Sequence, residues 1–313
     1  MNLDLPFILR HENIARIESD GIHILDRRVY PFEVKDFIAS DYKEAASAIR
    51  NMVTQGGGPL EVALVAMLHT YRNNRAELCH ARKMLSEARP TNTTMKRSLD
   101  ELVLRYESGE DFECVVSDIF DSFDKAYDTM SNIGASLIQD GMGVLTTCFP
   151  EHTFLLSVKK AVDSGKKVHV YVPETRPYLQ GAHLTEPCLR ELGVEAYMIT
   201  DGMPAHFLSK GDIDIYMTAA DLALSDRTIV NKTGTLSNAI ACNYFGIPYY
   251  AFSMGLDLSK ERDDITLEYR SPDEILSHKG VQLASQDAKA KYPCFDIIPS
   301  ELVSGIITKE GII

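Results

Sequence analysis

The sequence is short of several things, and each shortage excludes a class of function. No apolar run reaches the roughly 20 residues that a bilayer crossing requires, and residues 1–10 lack the basic start and long apolar core of a secretion signal. A cytoplasmic protein without a membrane partner is therefore expected. Basic residues are outnumbered, 32 Lys and Arg against 45 Asp and Glu, for a formal charge of −13. A nucleic-acid binder would instead show a basic patch or stripe, so no such partner is expected. The six cysteines (Cys79, Cys114, Cys148, Cys188, Cys242 and Cys294) are scattered, with no Cys-x-x-Cys and no paired Cys/His spacing. In a reducing compartment they read as mostly buried thiols, and no metal site is predicted. No Gly-x-Gly-x-x-Gly follows a strand-like run, so no dinucleotide cofactor is indicated.

What is present is ordinary for a globular protein: 45% hydrophobic and 25% charged residues. A chain of 313 residues is long for one core, which favours two domains. Residues 13–34 alternate weakly, with turn signals at Ser19-Asp20-Gly21 and Pro31, and predict two or three short strands, one over 21–25. Helical spacing then takes over at 41–52. It resumes at 60–72 after a break at Gln55-Gly56-Gly57-Gly58-Pro59, and continues at 76–88, 94–107 and 111–135.

Past Gly141 the period changes. Apolar runs at 143–149, 167–172, 196–199, 213–218 and 248–252 alternate with helical segments at 153–164, 185–192, 204–210 and 235–245. Such alternation predicts βαβ units and a parallel sheet. The expected fold class is α/β: a small N-terminal β plus helical domain over 1–135, then a Rossmann-like parallel-sheet domain over 136–313.

The stretch Asp212 to Asp221 organises the second domain. It reads as a buried strand that ends in small residues with a carboxylate, Asp221, just past its end. In open α/β sheets ligands bind outside the carboxyl ends of strands, so Asp221 stands where chemistry is usually done. Ten residues on, Asn231-Lys232 adds an amide and an ammonium, and Thr233-Gly234-Thr235 starts a helix. A carboxylate, a cation and a helix N-terminus together suit a phosphorylated ligand. A strand, a solvated loop and a capped helix would carry the same pattern.

Three other stretches are candidates. Cys148 ends the first strand of the sheet ahead of a helix, where a thiol pKa is lowered and the thiol serves as nucleophile or acid/base. A small buried residue is the plainer reading, and His152 four residues on is a weak signal for a hydrolase. The loop Pro173 to Gly181 gathers Glu174, Arg176 and Gln180 at a strand end, as a site rim or as one internal salt bridge. Gln55-Gly56-Gly57-Gly58 offers backbone amides to an anion. It is no P-loop, and on its own it reads better as a flexible interhelix turn.

These residues also carry a resemblance. The motifs are Pro173-Glu174-Thr175-Arg176-Pro177-Tyr178-Leu179-Gln180-Gly181-Ala182, Ile199-Thr200-Asp201-Gly202-Met203, Ala219-Ala220-Asp221, Asn231-Lys232-Thr233-Gly234-Thr235, Gly246-Ile247-Pro248 and the tail 295–308. Nearer the start stand Leu25-Asp26-Arg27-Arg28, Ala48-Ile49-Arg50-Asn51-Met52 and Ala88-Arg89-Pro90-Thr91. Over nearly the whole chain the sequence resembles the methylthioribose-1-phosphate isomerase family, aldose 1-phosphate isomerases related in fold to initiation-factor regulatory subunits.

The resemblance implies an α/β homodimer that turns an aldose 1-phosphate into a ketose 1-phosphate with no metal and no nucleotide cofactor. Methylthioribose 1-phosphate is the default substrate, with 5-deoxyribose 1-phosphate and ribose 1,5-bisphosphate as relatives. A non-catalytic sugar-phosphate-binding member is the rival. Carried over by motif, Cys148 and Asp221 are the catalytic pair, and Gln55, Gly56, Gly57, Arg89, Gln180, Asn231 and Lys232 hold the substrate. The family usually has Arg-Gly-Ala-Pro in place of Gln55-Gly56-Gly57-Gly58, a His in place of Thr147 and often an Arg in place of Leu222. One phosphate-binding cation is therefore missing here.

Overall fold

The computed structural model describes residues 3–89, 92–267 and 269–313. The chain forms two compact units, Met1–Thr129 and Met130–Ile313.

In the first unit, β1 (Ala15–Glu18), β2 (Gly21–Leu25) and β3 (Asp36–Ala39) make an antiparallel sheet with β2 in the middle. Five helices follow: α1 (Tyr42–Arg50), α2 (Gly58–Asn73), α3 (Leu78–Ala88), α4 (Thr93–Glu107) and α5 (Phe112–Leu137). The starts are legible in the sequence. The Asp41 side chain accepts from the amides of Lys43 and Glu44 at the head of α1, and Asn92 accepts from Met95 at the head of α4. Pro59 lies in the first turn of α2, where its missing N–H costs nothing. The helices meet over a core that includes Ile49, Leu64, Met67, Leu85, Leu99 and Phe112.

Buried polar groups in this unit are tied together. Arg27, 2% exposed, donates to the carbonyls of Gln55 and Ile8. The ring of His11 lies between two buried carboxylates, 2.7 Å from Glu61 through Nδ1 and 3.1 Å from Asp124 through Nε2. Burial alone would lower the His11 pKa. The hydrogen bonds and charges of Glu61 and Asp124 outweigh it and raise the value to about 9.

The second unit is built on a seven-stranded sheet. Its parallel strands are β4 (Gly143–Leu145), β5 (His169–Pro173), β6 (Glu195–Ile199) and β7 (Ile215–Ala219). Then come β8 (Leu222–Ala223), β9 (Ile229–Lys232), β10 (Tyr249–Phe252), β11 (Phe295–Ile298), β12 (Gly305–Thr308) and β13 (Gly311–Ile312), of which β8, β9 and β11 lie outside this sheet. The sheet order is β13-β12-β10-β7-β4-β5-β6, with only β13 antiparallel to its neighbour.

Counted along the chain, the six parallel strands are ordered 6-5-4-1-2-3, the doubly wound order whose direction of winding reverses between the first and fourth strands. That reversal lies between β4 and β7, where crossover connections leave to opposite sides and open a crevice at the strands' carboxyl ends. The helices between strands are α6 (Glu151–Asp163), α7 (Glu186–Glu191), α8 (Pro204–Lys210) and α9 (Thr235–Phe245).

The expected parallel α/β sheet is present, with two differences. The first strand stops at Leu145 rather than continuing to Phe149, because the backbone turns sharply at Cys148. Asn231-Lys232 is not a loop but the end of β9, in the centre of a separate three-stranded antiparallel sheet of order β11-β9-β8.

Candidate active site

Cys148 leaves β4 at the reversal point in a conformation that L-residues avoid, φ +64°. Three further non-glycine residues with positive φ lie at the start of α6 and in the loop after β5: Glu151 (+53°), Thr175 (+62°) and Leu179 (+61°). Each costs on the order of 1–3 kcal/mol and persists only where surrounding contacts over-determine it, a pattern characteristic of functional sites.

The contacts are explicit. The Cys148 amide donates to Thr175 Oγ1 at 3.1 Å, and the Thr185 hydroxyl donates to the Cys148 carbonyl at 2.5 Å. The preceding Thr147, 4% exposed, shares a 2.6 Å hydrogen bond with the Tyr216 hydroxyl and accepts one from Asn238 at 3.1 Å. Burial drives the Tyr216 pKa well above its ordinary value, so the phenol stays neutral and the bond persists at all working pH. Thr147 is thus a buried link to β7 and α9.

The loop 173–181 is pinned rather than floating. The Asp201 carboxylate accepts from the Thr175 and Arg176 amides, both at 2.8 Å. Arg176 donates to the carbonyl of Ile275 at 3.1 Å, so it ties the loop to the chain near 275 and is not part of a Glu174 salt bridge. At Gly181 a Cβ would sit 1.8 Å from the Pro173 carbonyl oxygen, so only glycine lets the chain return this closely to the strand end. Gln180 immediately precedes it and opens the π-helical turn Gly181–Thr185, a distortion frequent at functional sites. Gln180 is 4% exposed, and its carboxamide oxygen has no hydrogen-bond partner. A buried unsatisfied acceptor costs about 1–3 kcal/mol, which a ligand donor would relieve.

Asp221 follows β7 and is exposed, its amide donating to the Val230 carbonyl at 3.0 Å. Leu222 pairs with Val230, so the ladder carries Asp221 alongside Asn231. Asn231 and Lys232 are 4% and 6% exposed. The Lys232 ammonium lies 4.7 Å over the Phe295 ring, and no carboxylate among the described residues pairs with it. A nearly buried cation without a counter-charge is expensive unless a ligand supplies one.

The helix N-terminus beside it differs from the sequence expectation. Asp296, opposite Asn231 in the ladder, accepts from the amides of Gly234 at 2.8 Å and Leu236 at 3.0 Å. The head of α9 is already capped by an internal carboxylate, so attraction for an anion falls to Lys232. Leu222 joins an apolar cluster with Val230, Tyr292 and Phe295.

The sequence-predicted residues of the first unit have their own setting. Gln55 is 5% exposed, its carbonyl held by Arg27 and its side-chain oxygen without a partner. Gly56 adopts φ +64° and Gly57 caps α2. Gln55 is therefore buried and strapped, while Gly56 is exposed and Gly57 half-buried. Arg89 is half-buried at the C-cap of α3, and Pro90 and Thr91 of its motif lie outside the described residues. Among the described residues one cluster has metal-ligand spacing, Glu18, Asp20 and His23 on the first hairpin. Its histidine is already engaged by Asp20 at 2.7 Å and Asp36 at 3.2 Å, an ion-pair network rather than a built metal site.

The residues that sequence reasoning left without a role are Thr147, Thr175, Thr185 and Asp296, and Asp201 was marked only as part of a strand-end loop. Thr175 and Asp201 lie within recognisable motifs. Their hydrogen bonds join segments far apart in sequence, which no spacing rule reveals.

Comparison with known proteins agrees with this architecture. The model of the Initiation factor 2 subunit family matches residues 47–313. Methylthioribose-1-phosphate isomerase 1 of Pseudothermotoga lettingae is 32% identical, covering 94% of this chain and 93% of its own. Methylthioribose-1-phosphate isomerase of Chloroflexus aurantiacus is also 32% identical, over 95% of this chain and 93% of that one. Among solved structures, 5-methylthioribose 1-phosphate isomerase from Pyrococcus horikoshii OT3 superposes with a TM-score of 0.83 over 99% of this chain and 93% of that chain, at 24% identity. The delta subunit of translation initiation factor eIF-2B from A. fulgidus gives a TM-score of 0.78 at 26% identity, over 96% of this chain and 95% of that one.

Proposed function

Because the chain belongs to the Initiation factor 2 subunit family, among its methylthioribose-1-phosphate isomerases, we propose that it converts S-methyl-5-thioribose 1-phosphate to the corresponding ribulose 1-phosphate. It is an aldose–ketose isomerase. The observation that carries the reading is that strained Cys148 and Asp221 follow the neighbouring strands β4 and β7 at the carboxyl edge of the sheet, with Asp221 carried alongside Asn231, the residue before the buried Lys232. The initiation-factor relatives share the fold, and the Cys148/Asp221 pair favours the catalytic reading over a purely binding one.

The chemistry asks for few groups. The 1-phosphate locks the sugar as a ring, so opening requires a proton at the ring oxygen, which becomes the hydroxyl on C4. A hydrogen then moves from C2 to C1 while the C2 hydroxyl gives up its proton, and the net change is an isomerisation. We assign the ring-opening and hydroxyl proton transfers to Asp221, and the acid/base role along the C1–C2 edge to Cys148. Lys232 answers the phosphate charge. Asn231 and the unsatisfied Gln180 oxygen orient sugar hydroxyls, the latter as acceptor. By family motif Gln55, Gly56, Gly57 and Arg89 are also assigned to substrate binding, and residues 136–313 are assigned as the catalytic domain. A cytoplasmic homodimer is part of the same proposal.

The test is an NMR time course with methylthioribose 1-phosphate, 5-deoxyribose 1-phosphate and ribose 1,5-bisphosphate in parallel, on wild type, Cys148→Ala and Asp221→Asn. Removing a general acid or base costs about 10²–10⁴ in rate, so ketose should form from methylthioribose 1-phosphate and fall by that factor in both variants. Binding of a sugar phosphate without turnover in the wild type would replace the isomerase with a sensor.

A further inference from the structure

We infer that Thr175 and Thr185 are positioning residues that hold Cys148 in its left-handed conformation and thereby aim its thiol, with Asp201 fixing Thr175 from behind. The inference rests on the isomerase reading only for its kinetic consequence.

The argument is an accounting of one hydroxyl. A threonine hydroxyl has one proton and two acceptor lone pairs. Thr175 Oγ1 donates its proton to the Pro173 carbonyl at 3.2 Å, which leaves a lone pair for the Cys148 amide at 3.1 Å. The other polar group of Cys148, its carbonyl, receives the Thr185 hydroxyl at 2.5 Å. Both backbone groups of the strained residue are therefore held by side chains from the β5 loop and the π-helical turn that follows it. Thr175 is 2% exposed and Thr185 is fully buried, so water does not compete for either bond.

Thr175 itself has φ +62°, a true outlier for a β-branched residue. Its own conformation is fixed by the two Asp201 bonds to the Thr175 and Arg176 amides. Two strained residues on different loops thus support each other, and Asp201, at the end of β6, transmits the rigidity of a third strand. None of these three side chains has to touch substrate. Their effect reaches the reaction through the direction of the Cys148 side chain, where misplacement by about 1 Å can cost as much as 10²-fold in rate.

Four variants test this: Thr175→Val, which keeps the shape and removes the hydroxyl; Thr175→Ser, which restores it; Thr185→Val; and Asp201→Asn, which leaves one amide facing a donor. Two readouts are taken on the full-length protein. The first is alkylation of Cys148 by iodoacetamide, followed by peptide mass spectrometry from about pH 6 to about pH 10, a range that brackets the ordinary thiol pKa. The second is kcat and KM for methylthioribose 1-phosphate.

The valine variants and Asp201→Asn should lower kcat by about tenfold or more with KM within about threefold, the signature of a group that acts on the reacting geometry rather than on uniform binding. They should also change the Cys148 alkylation profile, and Thr175→Ser should restore wild-type behaviour in both readouts. Wild-type alkylation and kcat in Thr175→Val, or a Thr175→Ser as impaired as Thr175→Val, would overturn the inference. If one valine variant does not fold, the other and Asp201→Asn decide the matter by the same criteria. If the wild type fails to isomerise any sugar phosphate, the functional reading falls, and the alkylation comparison still decides whether the threonines set the cysteine.

Discussion

The two units differ in where their buried polar groups are left short. In Met1–Thr129 several are tied to partners: His11 between Glu61 and Asp124, the terminal nitrogens of Arg27 on two backbone carbonyls, and buried Asp26 on the exposed Arg28. In Met130–Ile313 the loops at the carboxyl edge of the sheet hold strained residues, the unsatisfied Gln180 and Thr146 oxygens and the uncompensated Lys232. In the first unit the same signature is found at 52–57, where Met52 has φ +59° and buried Thr54 and Gln55 oxygens lack partners. The contrast teaches where folding free energy has been withheld. Satisfied polar groups hold the fold, and on the proposed function the unsatisfied oxygens of Gln180 and Gln55 are ones a ligand would complete.

The sharpest way to break the comparison is Lys232→Ala. Loss of a charge-assisted contact to phosphate is worth about 1.5–3 kcal/mol, so kcat/KM should fall roughly 10- to 100-fold. The melting temperature should hold or rise, because a nearly buried charge without a partner is removed. A lower melting temperature together with unchanged kinetics would show that Lys232 serves the fold instead.

His11→Gln should do the reverse. The folded-state pKa is raised from 6.5 to about 9, so the protonated form is the stabilising one. Its contribution is fully present below pH 6.5 and is lost as the pH climbs through about 9. Thermal melts of the wild type should therefore fall between neutral pH and about pH 10. The variant should be less stable by about 1–3 kcal/mol at neutral pH, from the loss of a hydrogen bond to a charged partner, and should lack that decline. A wild-type melting curve that is flat over this range would exclude the charged bridge.

Asp296→Ala gives the smallest effect. It removes the carboxylate that caps α9 and should destabilise by about 1 kcal/mol, the usual value of an N-terminal cap. A much larger loss would mean that β9, which carries Asn231 and Lys232, depends on Asp296 for its pairing.

Legibility in the sequence followed the range of the interactions. Helix α8 was predicted at its observed bounds and β2 likewise, because periodicity, Pro204 and the turn at Ser19-Asp20-Gly21 are local signals. Strand β9 was not, because four residues carry no period, its local partner β8 has only two residues, and its longer partner β11 lies more than 60 residues away. The site followed the same rule. Cys148 and Asp221 are marked by their place after strands, and Lys232 by its motif. Nothing local says that Cys148 turns left-handed, or that Asp296 occupies the helix head where an anion was expected.

By itself, then, the sequence determined most of the succession of helices and strands, the α/β class and the small set of candidate side chains, since hydrophobic period, capping residues and motif spacing are written within a few turns of chain. Only the tertiary structure decided the strand order that puts β4 beside β7, the pairing that buries Lys232, and the threonine contacts that hold Cys148. Those depend on hydrogen bonds and packing between segments far apart along the chain, whose alternatives differ in free energy only once the whole sheet has closed.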